Sequence, residues 1–132
     1  MIQYTDRISA EEYLELRTKV GWMLFPREEA ENCIENAYMV ISARDDGRAV
    51  GVARLLWDGG YVAFLSDVIV DPAYQRQGIG TRLLRSVLER YKTVYQMELL
   101  TDDTEITNSF YRSAGFVPAG EIGCLSFVRM KH

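Results

Sequence analysis

The sequence predicts an α/β protein of the α+β kind, a mixed and mostly antiparallel sheet with a parallel central pair of strands, flanked by helices. Three observations carry that reading. Short β-type stretches alternate with amphipathic helical ones along the chain. One stretch, Tyr61 to Val70, is apolar nearly throughout, as a central strand buried on both faces would be. A glycine-bearing turn joins it to the strongest helical pattern in the chain, and a helix in that place is the usual crossover between parallel strands.

Ile2 to Thr5 is a first strand. Ser9-Ala-Glu-Glu12 has the form of a capping box, so a helix is expected from Ala10 to Val20, with Tyr13, Leu14, Leu16 and Val20 as a partial apolar stripe. The loop Gly21 to Phe25 is rich in apolar bulk, and Pro26 opens a second helix over Arg27 to Glu35. Tyr38 to Arg44 and Ala49 to Trp57 are strands joined across Asp45-Asp-Gly47, and the second meets Tyr61 to Val70 across Asp58-Gly-Gly60. In the next helix Ile79, Leu83, Leu84, Val87, Leu88 and Tyr91 share one face, with Arg82, Arg85, Ser86, Glu89 and Arg90 opposite, so the apolar face packs on a sheet. Val94 to Thr101 is a fifth strand and Glu105 to Ala114 a short helix stopped by Gly115. Phe116 to Pro118 and Cys124 to Met130 are expected to close the sheet.

A chain of 132 residues is expected to be one domain, residues 1–132, large enough to bury about two-thirds of its unfolded surface. Cys33 and Cys124 have no metal-type spacing and are expected to be reduced. Apolar runs such as Tyr38 to Ile41 are far too short for a membrane span, and the expected location is the cytoplasm. Net charge is −4, and residues 1–36 hold eight acids against four bases, while the rest of the chain balances. Nucleic acid binding needs clustered cations, which argues against that class. Plain solvated helix faces are the ordinary reading of the acidic N-terminal region, and steering of a cationic acceptor is the alternative.

Gln75 to Thr81 reads Gln-Arg-Gln-Gly-Ile-Gly-Thr, placed between a strand and a helix. Two glycines let the backbone approach a ligand, and the helix N-terminus offers unpaired N–H groups to an anion such as a phosphate. An ordinary strand-to-helix turn uses glycine too. Thr81 and Arg82 after the last glycine exclude a Walker loop, and Leu83 stands where a dinucleotide fingerprint has a small residue. The wider stretch "SDVIVDPAYQRQGIGTRLL", Ser66 to Leu84, resembles the acyl-CoA-binding motif of the GNAT acetyltransferase superfamily. "NSFYRSAGF", Asn108 to Phe116, resembles the downstream Phe-Tyr-x-x-x-Gly-Phe segment of the same family. Together the two segments and what connects them cover the C-terminal half. One departure is that Thr104 and Thr107 stand where family members often carry Asn and Ala.

The resemblance implies a GNAT-like fold in which the fourth and fifth strands splay to admit the pantetheine arm of acetyl-CoA, the acetyl donor; no metal is expected, because no His, Cys and carboxylate cluster has metal-ligand spacing. It implies cofactor contacts at Val68, Ile69 and Val70 through the backbone. The pyrophosphate would meet Arg76, Gln77, Gly78, Ile79, Gly80 and Thr81, with further contacts from Asn108 and Tyr111. Tyr111 would be the general acid that protonates the departing thiolate, its alternative being a packed tyrosine beside Phe110 and Phe116. Asp67 is the first candidate for the base or ammonium anchor and Glu98 the second, and alternation points Asp67 away from the face of Ser66 and Val68. A structural carboxylate is the alternative for Asp67. Trp22, Phe25, Trp57 and Tyr61 are candidate acceptor walls, equally suited to a core or a homodimer interface. His132 is the single histidine and, at the terminus, is kept out of the chemistry. The expected activity is transfer of acetyl from acetyl-CoA to a primary amine, a small molecule favoured over protein lysine. A non-catalytic acyl-CoA-binding module is the alternative, and a nucleotide-binding protein a more remote one.

Overall fold

The first helix begins where its capping box puts it. The computed structural model describes residues 1–131, so His132 lies outside the described residues. Ser9 Oγ accepts from Glu12 N at 3.1 Å and Glu12 Oε1 from Ser9 N at 3.0 Å, and helix α1 (Ala10–Lys19) follows. Helix α2 (Arg27–Glu35) opens after Pro26. Glu12 also receives both arms of Arg44, at 2.7 and 3.0 Å, which fastens α1 to strand β2 (Met39–Asp45). That Arg44 hydrogen bond is the main reason the Glu12 carboxyl is held down at about 2.

The sheet is built from β1 (Ile2–Thr5), β2, β3 (Arg48–Trp57), β4 (Val62–Val70) and β5 (Gln96–Leu99), in that spatial order. The first four are antiparallel in sequence, and β4 and β5 are parallel, joined by helix α3 (Ile79–Arg90). Asp46 and Gly47 make the β2–β3 turn with φ of 51° and 80°, the paired left-handed conformations of a two-residue hairpin loop. These elements belong to a first packing unit, Met1–Leu100, and a second unit begins at Thr101.

Both faces of the first unit's sheet are covered. On one, Tyr13 and Leu16 of α1 and Ala30 of α2 pack with Val40, Val52 and Ile69. On the other, α3 buries Ile79, Leu83, Leu84 and Val87. The double cover explains why Ala49 to Leu55 of β3, the middle strand, are buried without a break. The sequence gives that place to β4, but β4 alternates between buried and partly exposed residues because its outer edge is only partly covered.

Two further expectations need correction. Strand β5 is shorter than Val94 to Thr101, since its ladder ends at Leu65 and Leu99. The closing strands at Phe116 to Pro118 and Cys124 to Met130 do not form among the described residues, so the parallel pair ends the strand order instead of lying inside it. Pro118 offers no N–H and starts a 3-10 turn, Ala119–Ile122, which Gly123 closes at φ 78°. Residues beyond it have β-type side chains, but a strand needs a neighbouring ladder and none pairs with them among the described residues.

Helix α3 seats closely on β3 at Gly51, where an added Cβ would lie 3.2 Å from Ile69 O and from Leu83 Cδ1 and 3.3 Å from Ile79 Cγ2. Gly51→Val is therefore expected to cost about 1–3 kcal/mol through overpacking. Urea denaturation reads this directly, and an unchanged midpoint would contradict the tight seat.

Candidate active site

Strand β4 carries one residue more than its partner. Arg54 pairs with Asp67 and Leu55 with Leu65, which leaves Ser66 as a bulge. The extra residue turns the strand over. Ala63 and Leu65 pair with Trp57 and Leu55, on the face of Gly51 and α3, whereas Asp67 and Ile69 pair with Arg54 and Val52, on the face of α1 and α2. The alternation that set Asp67 opposite Ser66 fails here: the Arg54 guanidinium reaches Asp67 Oδ2 at 2.6 Å and Ser66 Oγ at 2.8 Å.

The other edge of β4 is paired for less than half its length. Strand β5 matches Val62, Ala63, Phe64 and Leu65 and goes no further, so residues 66–70 have no strand partner on that side among the described residues. Val70 O accepts from Gln75 Nε2 at 3.1 Å, and the edge groups of the other residues are open to a ligand that continues the ladder. The edge leads into Asp71, whose N–H donates to Val50 O at 2.9 Å.

Asp71 anchors the turn that follows. It is 4% exposed, accepts from Ala73 N at 2.9 Å and from Lys19 Nζ at 2.9 Å, and lies 3.9 Å from Arg48. Burial pushes its carboxyl up, but the Lys19 hydrogen bond, the Ala73 N–H and the two cations outweigh this and hold it below its ordinary value. Beyond the turn Arg76 has φ 66° and Gly78 has φ 82°. Left-handed residues turn the chain sharply here, and a left-handed residue beside a right-handed one gathers successive N–H groups into a concave cradle. Gly78 is the N-cap of α3 and makes no side-chain cap, so the first turn of the helix presents its N–H groups and positive dipole end to the same place. An anion fits this arrangement. A cavity of about 550 Å³ lies elsewhere, lined by residues such as Arg7, Ile34, Tyr38 and Arg44, and contains no residue of β4 or of the glycine turn.

Asp67 lies 4% exposed at the centre of an ion cluster. Its Oδ2 accepts from Tyr13 OH at 2.7 Å and from Arg54 Nε at 2.6 Å, and its Oδ1 lies 3.7 Å from Arg17 Nη1. Arg54 also donates to Cys33 O at 3.2 Å. Burial, reinforced by the Asp67 charge and hydrogen bond, pushes the Tyr13 phenol up to about 12, so it stays a donor at any ordinary pH. Glu98, by contrast, is exposed on β5, with Gln96 Nε2 donating to it at 2.5 Å.

In the second unit, helix α4 (Glu105–Ser113) starts at a reciprocal cap: Thr104 Oγ1 accepts from Thr107 N at 3.1 Å, and Thr107 Oγ1 accepts from Thr104 N at 3.3 Å. Asn108 Nδ2 donates to Thr104 O at 2.8 Å and to Asp103 Oδ1 at 3.0 Å. The Tyr111 ring meets Phe110 edge-on at 4.9 Å and Phe116 at 5.9 Å.

Residues 5–116, which include both motif segments, match the family described as the acetyltransferase (GNAT) family. The chain belongs to it. The chain is 34% identical to a GNAT family acetyltransferase from Streptococcus pneumoniae, whose structure matches over 99% of this chain and 97% of that one with a TM-score of 0.87. It is 31% identical over 113 residues to "Histone acetyltransferase TAP1" of Glycine max, covering 74% of this chain and 47% of that protein. It is 41% identical over 85 residues to "N-alpha-acetyltransferase RimI" of Mycobacterium tuberculosis, covering 61% of this chain and 52% of that protein. The chain thus spans about half the length of these two relatives. A Thermoplasma acidophilum PaiA N-acetyltransferase, solved in complex with coenzyme A, shares the fold at 18% identity, with a TM-score of 0.72 over 89% of this chain and 90% of that one.

The edge of Val68 to Val70 leads through Asp71 into the glycine turn and the start of α3. The departure at Thr104 and Thr107 has a local reason, since the two threonines cap α4. Sequence reasoning missed Tyr13, Arg17, Arg54, Lys19 and Asp71 as partners. A signal existed for Arg54, a lone cation inside the apolar run of β3, which stays buried only beside an anion. Of the expected acceptor walls, Trp57 packs edge-on against Tyr38 and Tyr91, while Phe25 and Trp22 lie over the Arg17 guanidinium.

Removing the Asp67 charge leaves Arg54 buried without its counterion. Asp67→Asn is expected to lose about 3–5 kcal/mol of stability. Chemical denaturation at neutral pH measures it, and a loss below about 1 kcal/mol would show that the cluster does not depend on that charge.

Proposed function

We propose that the chain is an N-acetyltransferase carrying an acetyl group from acetyl-CoA to a primary amine, with a small-molecule acceptor favoured over a protein lysine. The observation that supports it most is the unpaired edge of β4 running through Asp71 into the uncapped N-terminus of α3. That edge suits an arm with amide groups spaced along it, and the cradle suits a pyrophosphate, which are the two parts of coenzyme A. Its thioester supplies an activated acyl carbon, which gains a bond to the amine nitrogen as the bond to sulfur breaks.

In this reading Val68, Ile69 and Val70 hold the arm by backbone groups. Gln77, Gly78, Ile79, Gly80 and Thr81 hold the phosphates, with Arg76 adding charge, and Asn108 keeps the supporting contact implied by the family motif. Tyr111 keeps the role of acid, giving its proton to the departing sulfur. For the proton of the amine, Glu98 replaces Asp67 as first candidate: the Asp67 carboxylate is buried and already answers Tyr13, Arg54 and Arg17. Asp67 becomes the structural anchor. The reading treats both packing units as one acetyltransferase domain and keeps the protein in the cytoplasm, in line with two unpaired cysteines. Names such as histone acetyltransferase and N-alpha-acetyltransferase among relatives keep protein amines as the competing acceptor class.

Gly80→Glu tests the cradle, since a carboxylate is tolerated at a helix N-terminus but repels a phosphate there. Calorimetry is expected to show acetyl-CoA binding lost in a variant whose circular dichroism is unchanged, and intact affinity would end the assignment. Thiol release over a set of amines separates an enzyme from a binding module, which would bind without turnover.

Tyr111→Phe keeps the ring and removes the proton donor. Acyl transfer in a single turnover should slow by ~100-fold, with acetyl-CoA affinity unchanged. An unaltered chemical step would return Tyr111 to packing with Phe110 and Phe116.

A further inference from the structure

Strand β1 covers only part of the outer edge of β2. Their ladder ends where Thr5 pairs with Ser42, and the chain leaves the sheet at Asp6, so Met39, Val40 and Ile41 have no strand partner on that side among the described residues. The cavity of about 550 Å³ opens at this place, wholly within the first packing unit. Its size falls within the roughly 300–1,000 Å³ of small-ligand sites. Ile8, Ile34, Met39 and Val40 supply the carbon part of its lining, with the rings of Tyr38 and Tyr91 beside them. Ile8, Met39 and Val40 are buried, so this lining continues the core.

The charges of the lining run against those of the chain. Net charge is −4, yet Arg7, Arg44 and Arg90 line the cavity against one acid, Asp6. Arg44 is already committed. It donates to Glu12 at 2.7 and 3.0 Å and to the carbonyls of Gly47 and Arg7, each at 3.0 Å. The guanidinium groups of Arg7 and Arg90, by contrast, have no hydrogen bond or ion pair with any described residue, and Asp6 pairs with neither. The backbone that carries Arg7 is nonetheless held, its carbonyl accepting from Ser42 Oγ at 2.6 Å as well as from Arg44. Arg90 ends α3, where any cation complements the helix dipole, so its place alone says nothing of a ligand. Two donor forks without acceptors, brought from separate elements to one apolar cavity, do point to one.

We propose that this cavity is a second ligand site, separate from the β4 edge and the glycine turn, and that it takes a small carboxylate with an apolar body. Arg7 and Arg90 meet the carboxylate, while the aliphatic lining and the Tyr38 and Tyr91 rings cover the carbon. Two free cations against Asp6 leave a net charge of +1, which suits a singly charged anion. A cationic ligand would be repelled by both arginines, and a neutral one would leave both without an acceptor. The proposal does not rest on the acetyltransferase reading.

Trp57 reports on the site, since its ring meets Tyr38 at 4.8 Å and Tyr91 at 5.6 Å and its Nε1 donates to Gly60 O at 2.8 Å. The chain has two tryptophans, so Trp22→Phe leaves Trp57 as the single indole. In that background phenylpropionate is expected to change the fluorescence saturably, and the neutral phenylpropionamide should need ~10-fold more for the same change. No saturable change, or equal responses to acid and amide, would overturn the proposal. Saturating coenzyme A should leave the phenylpropionate response in place. Competition between the two would move the anion to the glycine turn and end the case for a separate site. Arg7→Gln and Arg90→Gln are each expected to weaken phenylpropionate binding by ~10-fold and together to abolish it, with circular dichroism unchanged because neither guanidinium has a partner to lose. Undiminished binding in the folded double variant counts equally against the site. Acetyl transfer is read separately as thiol release, so a failure of the enzyme assignment and a failure of this site give different results.

Discussion

A buried charge can exist only where something answers it, and in this fold Asp67 is the answer for two guanidinium groups. Arg54 comes from the middle strand, Arg17 from α1, and Tyr13 from the same helix supplies a neutral donor. The cluster makes a polar joint inside an otherwise carbon-packed face. Apolar contacts are non-directional, so they hold helices against a sheet without fixing where each lies along it. Hydrogen bonds at 2.6 and 2.7 Å from two different elements do fix it. The position of α1 over β4, and with it the loop beyond α1, is set at this joint.

The same strand shows how one inserted residue divides labour. Before Ser66 the buried side chains of β4 serve the α3 face, and after it they serve the α1 and α2 face. The change occurs where β5 stops pairing. A strand that twisted smoothly would tend to keep its neighbour along its whole length. The bulge bends it locally, and the free edge, the anchoring Asp71 and the open N-terminus of α3 then follow one another along a continuous piece of chain. Backbone groups on a strand and a helix end are held more precisely than the same groups on a free loop.

Much of this was legible in the residues. Helices α1 to α4 and the hairpin at Asp46 and Gly47 follow from caps, periodicity and turn chemistry, because those signals are local and each is satisfied within a few residues. The glycine turn was legible for the same reason. What could not be read depends on partners far apart in sequence: the bulge at Ser66, the length of β5, and the commitment of Asp67 to Tyr13 and Arg54, residues 54 and 13 positions away. Cys124 to Met130 failed in the opposite direction, since its side chains suit a strand but side chains alone cannot supply a ladder. Asp67 stood in the sequence as a candidate base or anchor with a structural carboxylate as its alternative, and its partners Tyr13 and Arg54 come from elements too distant for either to be read locally.

Arg76 sits in a left-handed conformation that glycine adopts freely and a residue with a Cβ does not. Glycine there would relax the turn, yet it would also remove a cation from the segment that leads into α3. The optimum for folding and, if the proposed function holds, the optimum for holding an anion thus pull one position toward different residues. Selection for thermal stability alone, with no demand for ligand, would be expected to erode this arginine first, and its retention in a stabilised variant would mark continued use of the cradle.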